Sequence, residues 1–463
     1  MTGAKLDRRT LLGAALTPLV LAACGGGAKN GAIDRGELKR ALEVLARAPE
    51  HGFAPGAFNA ERLIALSESD DRTQLKTRDR LLRAALAEYG QAQHGLSIPR
   101  RLMPASWGMR PAPYDAQAEM ARAVTTGRFE AWLDDLPPPF PAYDALQLAY
   151  VSYLKLHAAG GWPTVDGKDL VALRARLAVE EPGAAQATDL GPSLNNAQLA
   201  YGLPPTGRPD KATLAALNVP ASVRANQIRA NLERLRWLPR EDAPTRIEVN
   251  TAAATLEYYR DGELAMTMLA ASGKPGDETP ILTSEIRGLV LNPPWNVPEG
   301  IAANELYPKG PAYLAANNYV EQEGRLVQQP GPGSALGLVK FDFANPYSVY
   351  LHDTPSKAAF ERTARQVSHG CVRLERAVDL AKAVLSHEPG WSAARVDEAL
   401  AGGETKHVKL DAVIPVRLQY LTAWPAGGRI AFRPDPYGWD PRLLALLEKS
   451  QQLRVARLEA AAG

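Results

Sequence analysis

At Arg246 the hydrophobic period of this chain changes, and that change limits the possible folds more than any other feature. Upstream, apolar residues recur at three- and four-residue spacing, as in Leu81-Leu82-Ala85-Leu86 and Leu146-Leu148-Val151-Leu154, the pattern of helices that bury one face. Downstream the period is two. Ile247-Glu248-Val249-Asn250 and Leu256-Glu257-Tyr258-Tyr259 read as strands, and Asp261-Gly262 reads as a hairpin turn before Leu264 to Leu269. Short strands continue at Leu289-Val290-Leu291 and Ser348-Val349-Tyr350-Leu351. Helices first and strands second predict a multidomain α+β protein.

The helical half divides further. Residues 25–55 are glycine-rich and then weakly helical, and read as a tether. Residues 56–165 form a helical scaffold with a loop at Pro137-Pro138-Pro139, and residues 166–240 a small helical module. In that module helices at Leu173 to Leu177, Leu194 to Tyr201 and Asp210 to Leu217 surround the turn Gly202-Leu203-Pro204-Pro205-Thr206-Gly207. The mainly-β domain spans 245–425, followed by a C-terminal extension, 426–463. Within it, residues 293–340 break the strand pattern with Pro, Gly and Asn and a helical patch near Ala302. A long irregular insertion predicts a lid with few buried contacts.

Residues 1–24 read as an export signal. Lys5, Arg8 and Arg9 precede an apolar stretch, Leu11 to Leu21, too short and interrupted to span a membrane. It ends in Leu21-Ala22-Ala23-Cys24, which resembles a bacterial lipoprotein cleavage box, so Cys24 is the expected lipidation site. Asp7-Arg8-Arg9-Thr10-Leu11-Leu12 also resembles a twin-arginine signal, leaving export by that route or the general one open. The expected location is periplasmic and membrane-anchored, with the outer membrane preferred because Gly25 stands where a retaining aspartate often follows.

With Cys24 lipidated, Cys371 is the only thiol left, so no internal disulfide is possible, and a lone thiol outside the cytoplasm must be buried or used. The net charge of +2, from 53 basic and 51 acidic residues, implies no nucleic-acid partner. The seven histidines fall in no HExxH or CxxC arrangement, so nothing points to a metal. Chemistry concentrates instead at Ser368-His369-Gly370-Cys371-Val372-Arg373. A cysteine nucleophile acts as thiolate and needs a base or positive surroundings. His352 closes a predicted strand and could accept the thiol proton, oriented by a backbone carbonyl or by Asp353. Cys371 sits on the turn before a predicted helix, Glu375 to Leu385. The N–H groups of Gly370 and Cys371 could face a developing oxyanion, and Arg373 favours both a thiolate and a substrate carboxylate. Tyr350 and Trp295 read as core or cleft wall.

His352, 15 intervening residues and then Ser368-His369-Gly370-Cys371-Val372-Arg373 together resemble the signature of L,D-transpeptidases, in particular their large periplasmic branch. Further resemblances are Gly273-Lys274-Pro275, Asn292-Pro293-Pro294-Trp295-Asn296-Val297-Pro298, Pro330-Gly331-Pro332-Gly333, Leu351-His352-Asp353-Thr354-Pro355, Phe432-Arg433-Pro434-Asp435 and, for the scaffold, Gly160-Gly161-Trp162-Pro163. Gln328-Gln329 departs from the basic residue frequent in relatives. The 166–240 module resembles peptidoglycan-binding modules of the three-helix type, with Ala197 where an aromatic usually precedes Gln198.

The resemblance implies that Cys371 attacks the third-residue carbonyl of a donor tetrapeptide stem. D-alanine leaves, and an acceptor amine resolves the thioester into a 3–3 cross-link. It implies His352 as base, with His369 also near in sequence, Gly370 as oxyanion donor, and Ser368, His369 and Arg373 as substrate-binding residues. It implies no cofactor, acylation of the cysteine by carbapenems, and peptidoglycan stem peptides and a lipid-anchored membrane as partners. An L,D-carboxypeptidase or endopeptidase, or a non-catalytic wall-binding lipoprotein, are the alternatives.

Overall fold

The computed structural model describes residues 32–462 apart from Pro332; the export segment and Cys24 lie outside the described residues. The strands in chain order are β1 (Arg246–Asn250), β2 (Thr255–Arg260), β3 (Glu263–Gly273), β4 (Leu282–Leu291), β5 (Trp295–Asn296), β6 (Tyr319–Gln322), β7 (Arg325–Gln328) and β8 (Val339–Phe343). They continue with β9 (Leu351–His352), β10 (Gln366–Ser368), β11 (Val372–Leu374), β12 (Lys406–Gln419), β13 (Ala423–Ala426) and β14 (Arg429–Phe432). Nine of them form one sheet in the order β10-β3-β11-β9-β8-β4-β12-β1-β2, and β2 pairs back onto β3, so the sheet closes on itself. The β2–β3 turn has φ +52° at Asp261 and +87° at Gly262, the two left-handed positions of a tight hairpin turn.

Alternation decides which side chains fill this sheet. Val339, Phe341, Leu351, Val372 and Leu374 point inward and are fully buried with Ile247, Leu256 and Ile286. Helices Ala377–Leu385 and Ala393–Ala401 add Leu380, Val384 and Val396 to the same core. Each such side chain stabilises the fold by about 1.5–3 kcal/mol through its removal from water. The residues between them in sequence face outward, and several carry chemistry.

The helical half is less divisible than its sequence suggests. The expected tether contains a regular helix, Arg35–Ala46, started by a capping box between Asp34 and Glu37. Its Ala41 and Leu45 are buried against Leu81, Leu82 and Leu86, so it is part of the scaffold core. The expected module is not separate either. Helix Ala221–Arg236 is buried nearly all round, and packs against helix Pro141–Ala158, against β13 and against the C-terminal helix Trp439–Ala462. Such a helix behaves as a shared spine. A buried ion pair ties it to the C-terminal helix, Arg234 with Asp440 at 2.5 Å, while Arg236 pairs with Glu233 within the spine helix at 3.0 Å. Within the module, the fully buried Gln198 amide bonds Thr206, Thr213 and the Arg208 carbonyl, and its oxygen accepts from Gly207 N–H. Gln198 thus closes its own loop.

The C-terminal extension also joins the scaffold. Leu458 and Ala462 enter the core that holds Leu45, and Arg457 pairs with Glu88 at 2.7 Å. A third cluster, containing Trp107, Trp237, Ile281, Tyr420, Trp439 and Leu443, welds scaffold, spine helix, sheet and C-terminal helix together. Segment 106–109 bonds to the chain leading into β4 of the large sheet, with Ile281 N–H donating to Ser106 O at 2.9 Å and Met109 N–H to Ile281 O at 2.8 Å.

The insertion corrects the expectation of an irregular lid. It is a small unit of its own: strands β5, β7 and β6 form a three-stranded sheet, with short helical turns at Glu299–Ile301 and Pro311–Ala316. Val297, Ala302, Leu306, Tyr319 and Leu326 form its core. The Gly, Pro and Asn residues that read as an irregular lid are punctuation between very short elements; Glu323 and Gly324, both at positive φ, make the β6–β7 turn. Gln328 braces it, its amide donating to Asn317 O at 3.1 Å and its oxygen accepting from Ala335 N–H at 2.9 Å.

Candidate active site

Three neighbouring strands bring the outward-facing residues together. In the parallel pair β9–β11, Arg373 lies opposite His352 and Val372 opposite Leu351; in the antiparallel pair β8–β9, Lys340 lies opposite His352. The two-residue alternation therefore puts Cys371 and Arg373, Tyr350 and His352, and Lys340 on one face. Their opposite-face neighbours Leu351, Val372 and Phe341 are in the core. The rings of Tyr350 and His352 meet edge to face with centroids 5.5 Å apart, and the Lys340 ammonium sits 4.3 Å from the Tyr350 centroid. The register that sets Arg373 opposite His352 makes Cys371 and His352 diagonal neighbours on this surface.

His352 is buried, and its Nδ1 lies 2.5 Å from the Asp353 carbonyl oxygen. A carbonyl only accepts, so Nδ1 carries the proton and Nε2 keeps a lone pair. Of the two orienting groups considered from sequence, the backbone carbonyl is the one used. The Asp353 carboxylate is occupied elsewhere, by Lys357 Nζ at 2.7 Å and the Leu338 N–H at 2.9 Å. Burial pushes the imidazole down to about 3, helped by Arg373 and Lys340. An imidazole held that low is neutral at neutral and mildly acidic pH.

The thiol is half-buried. Burial pushes it up, while the Tyr350 backbone and hydroxyl, Lys340 and Arg373 pull it back towards the thiolate. Its sulfur lies 3.9 Å from Ser348 O. The resting pair is thus thiol and neutral imidazole, and proton transfer accompanies attack. A pH prediction follows, with the sign set by the downward shift of His352. A base with the ordinary value near 6.5 would lose about thirtyfold of its active form between pH 7.5 and 5. Here the acylation rate constant, read as adduct mass against time, is expected to change less than about threefold over that range.

Sequence reasoning missed Tyr350. Its hydroxyl stands beside the thiol and the Trp295 indole, and burial next to Cys371 pushes its pKa far above the usual phenol range, so it is a neutral hydrogen-bond donor at the site. The signal was present: a residue two before His352 on a strand shares its face. Trp295 brings the insertion to this point from β5.

The other expected residues divide. Arg373 is half-buried, and among the described residues no ion pair or hydrogen bond engages it; a guanidinium in that state suits an arriving carboxylate. Ser368 is not placed to bind substrate. It is buried, its Oγ donating to Cys371 O at 2.5 Å and accepting from Gly370 N–H at 3.2 Å, so it braces the nucleophile turn. The Gly370 N–H is therefore committed within the turn, and the expectation that it serves as the oxyanion donor is corrected; the Cys371 N–H is the better placed of the two. His369 is exposed, its Nε2 2.7 Å from Glu305 of the insertion and 3.3 Å from Lys274 Nζ, so it fastens the insertion to the sheet instead of meeting substrate.

A thiol beside a neutral, backbone-oriented imidazole is the equipment of cysteine acyl chemistry. The comparisons are specific about the family. Residues 244–399 match the L,D-transpeptidase catalytic domain (YkuD) and residues 30–149 match the Scaffold domain. A curated relative from Haemophilus influenzae, named provisionally as an L,D-transpeptidase, is 34% identical over 251 residues, covering 49% of this chain and 51% of its own. The chain thus spans about half the length of that relative. Among solved structures, an L,D-transpeptidase from Mycobacterium smegmatis is 19% identical, covering 38% of this chain and 59% of its own at a TM-score of 0.21. L,D-transpeptidase 3 from Mycobacterium tuberculosis, in complex with a faropenem-derived adduct, is 14% identical, with 38% and 60% covered and a TM-score of 0.21. Residues 244–399 are thus similar to an L,D-transpeptidase catalytic domain, and residues 30–149, ahead of them, to a Scaffold domain.

Proposed function

We propose that the protein is a cysteine L,D-transpeptidase that joins peptidoglycan stem peptides through 3–3 cross-links. The observation that carries the reading is the 2.5 Å bond from His352 Nδ1 to the Asp353 carbonyl, which leaves Nε2 free on the face shared with Cys371. In the forward half-reaction Nε2 takes the thiol proton as Sγ attacks the third-residue carbonyl. The Cys371 N–H and the Tyr350 hydroxyl meet the developing negative oxygen. The imidazolium then returns its proton to the departing D-alanine amine, leaving a thioester. In the second half the acceptor amine attacks the thioester, Nε2 takes its proton, and the thiol is restored. Arg373, half-buried beside the thiol and without an ion-pair partner among the described residues, offers a place for a stem-peptide carboxylate.

Export and a lipid anchor at Cys24, with an outer-membrane preference, complete the proposal. Among the described residues no helix is long and apolar enough to cross a membrane. The test is intact-mass analysis of the protein incubated with disaccharide tetrapeptides. A thioester on Cys371 followed by a 3–3 dimer is the expected result; loss of D-alanine to water with no dimer would replace transpeptidase with carboxypeptidase.

A further inference from the structure

Thr279 lies in the loop between β3 and β4, remote in sequence from the nucleophile and fully buried. Its hydroxyl donates to the Gly370 carbonyl at 2.8 Å and accepts the Gly273 N–H at 2.8 Å. The first bond matters because of what is on the other side of the same peptide. A trans peptide is planar, and its carbonyl and N–H point in opposite directions. Holding the Gly370 carbonyl towards Thr279 therefore aims the Cys371 N–H the opposite way. Gly370 has φ +105°, a region where glycine is free to move, so without this bond the peptide plane could rotate.

Thr279 is itself held. Tyr437 Oη donates to the Gly273 carbonyl at 2.6 Å and lies 3.4 Å from Thr279 N, whose N–H it accepts. The Tyr437 N–H in turn donates to Tyr420 Oη at 3.0 Å, with the two rings stacked 5.1 Å apart. Gly273 can be nothing larger, since a Cβ there would stand 1.9 Å from Asp277 O. We infer that Thr279 is a positioning residue that aims the Cys371 N–H at the oxyanion, with Tyr437 bracing it from the C-terminal segment. The inference rests on acyl chemistry at Cys371.

Two reactions of the same thiol separate this role from general support of the fold. Alkylation by iodoacetamide expels iodide and develops no oxyanion; acylation by a carbapenem does. Thr279→Val keeps the shape and removes the hydroxyl. Its acylation rate is expected to fall on the order of 10- to 100-fold, less than for outright loss of an oxyanion donor, while alkylation stays within about twofold of the parent. Thr279→Ser, which restores the hydroxyl, should recover most of the acylation rate. Should the valine variant fail to fold, Tyr437→Phe is expected to show the same split at smaller amplitude. Equal losses in both reactions, or no loss in either, would overturn the inference. A parent protein that is alkylated at Cys371 but never acylated would overturn the proposed function, and this inference with it.

Discussion

Replacing Cys371 by alanine is expected to abolish covalent capture of a carbapenem, from one adduct per chain to none. Nothing near the thiol can take over. Ser368 Oγ is spent inside the turn on Cys371 O and Gly370 N–H. The Tyr350 phenol is held neutral by burial, and the Lys340 ammonium lies against the Tyr350 ring and 3.4 Å from Asp342. Among the described residues Cys371 is the only free cysteine. The substitution trims one atom from a half-buried side chain, so the fold should lose about 1 kcal/mol or less. The measurement is intact mass after mixing at neutral pH, with thermal unfolding alongside. An adduct that survives in Cys371→Ala would remove this residue from the mechanism.

How much of this was legible beforehand differs between fold and site. The α-to-β switch at Arg246 and the Asp261-Gly262 turn were plain because both are local: period and turn chemistry act over a few residues. The tether was misread for the converse reason. Ala41 and Leu45 look like a weak helix until Leu81 and Leu86 are known to lie against them, and Arg457 meets Glu88 across 369 residues of sequence. No short window contains such contacts. The insertion failed differently. Its strands have only two to four residues each, so turn residues dominate its composition, although its core closes around Tyr319 and Leu326.

In the candidate site, Cys371, His352 and Arg373 could be singled out beforehand because one motif and one strand end contain them, and the strand register sets Arg373 opposite His352. Tyr350 was within reach of the same alternation and was passed over as an apolar wall. Lys340 and Thr279 could not be found that way, since strand pairing alone brings β8 and the β3–β4 loop to the nucleophile. The motif also misled. Ser368, His369 and Gly370 flank the thiol in sequence, but a turn sends consecutive side chains in different directions, and each of the three is committed to another partner.

That separation of His369 from the thiol sets the second large effect. His352→Ala should slow acylation by roughly 100- to 1,000-fold, the range for losing a positioned general base. The thiol would then depend on Lys340, Arg373 and bulk hydroxide to reach its reactive form, so the variant's rate should climb with pH where the parent's stays nearly flat. The change in slope is as informative as the change in rate. His369→Ala removes a ring whose Nε2 sits on Glu305, an exposed contact between the insertion and the sheet. Exposed pairs of this kind contribute about 0–1 kcal/mol, so its acylation rate should stay within about fivefold, with any loss appearing in the concentration dependence as the insertion loosens. The three rates can be read from adduct mass against time on matched samples at pH 5, 6.5 and 8. A larger loss for His369 than for His352, or a His352 variant with the parent's flat profile, would assign the base to the other histidine.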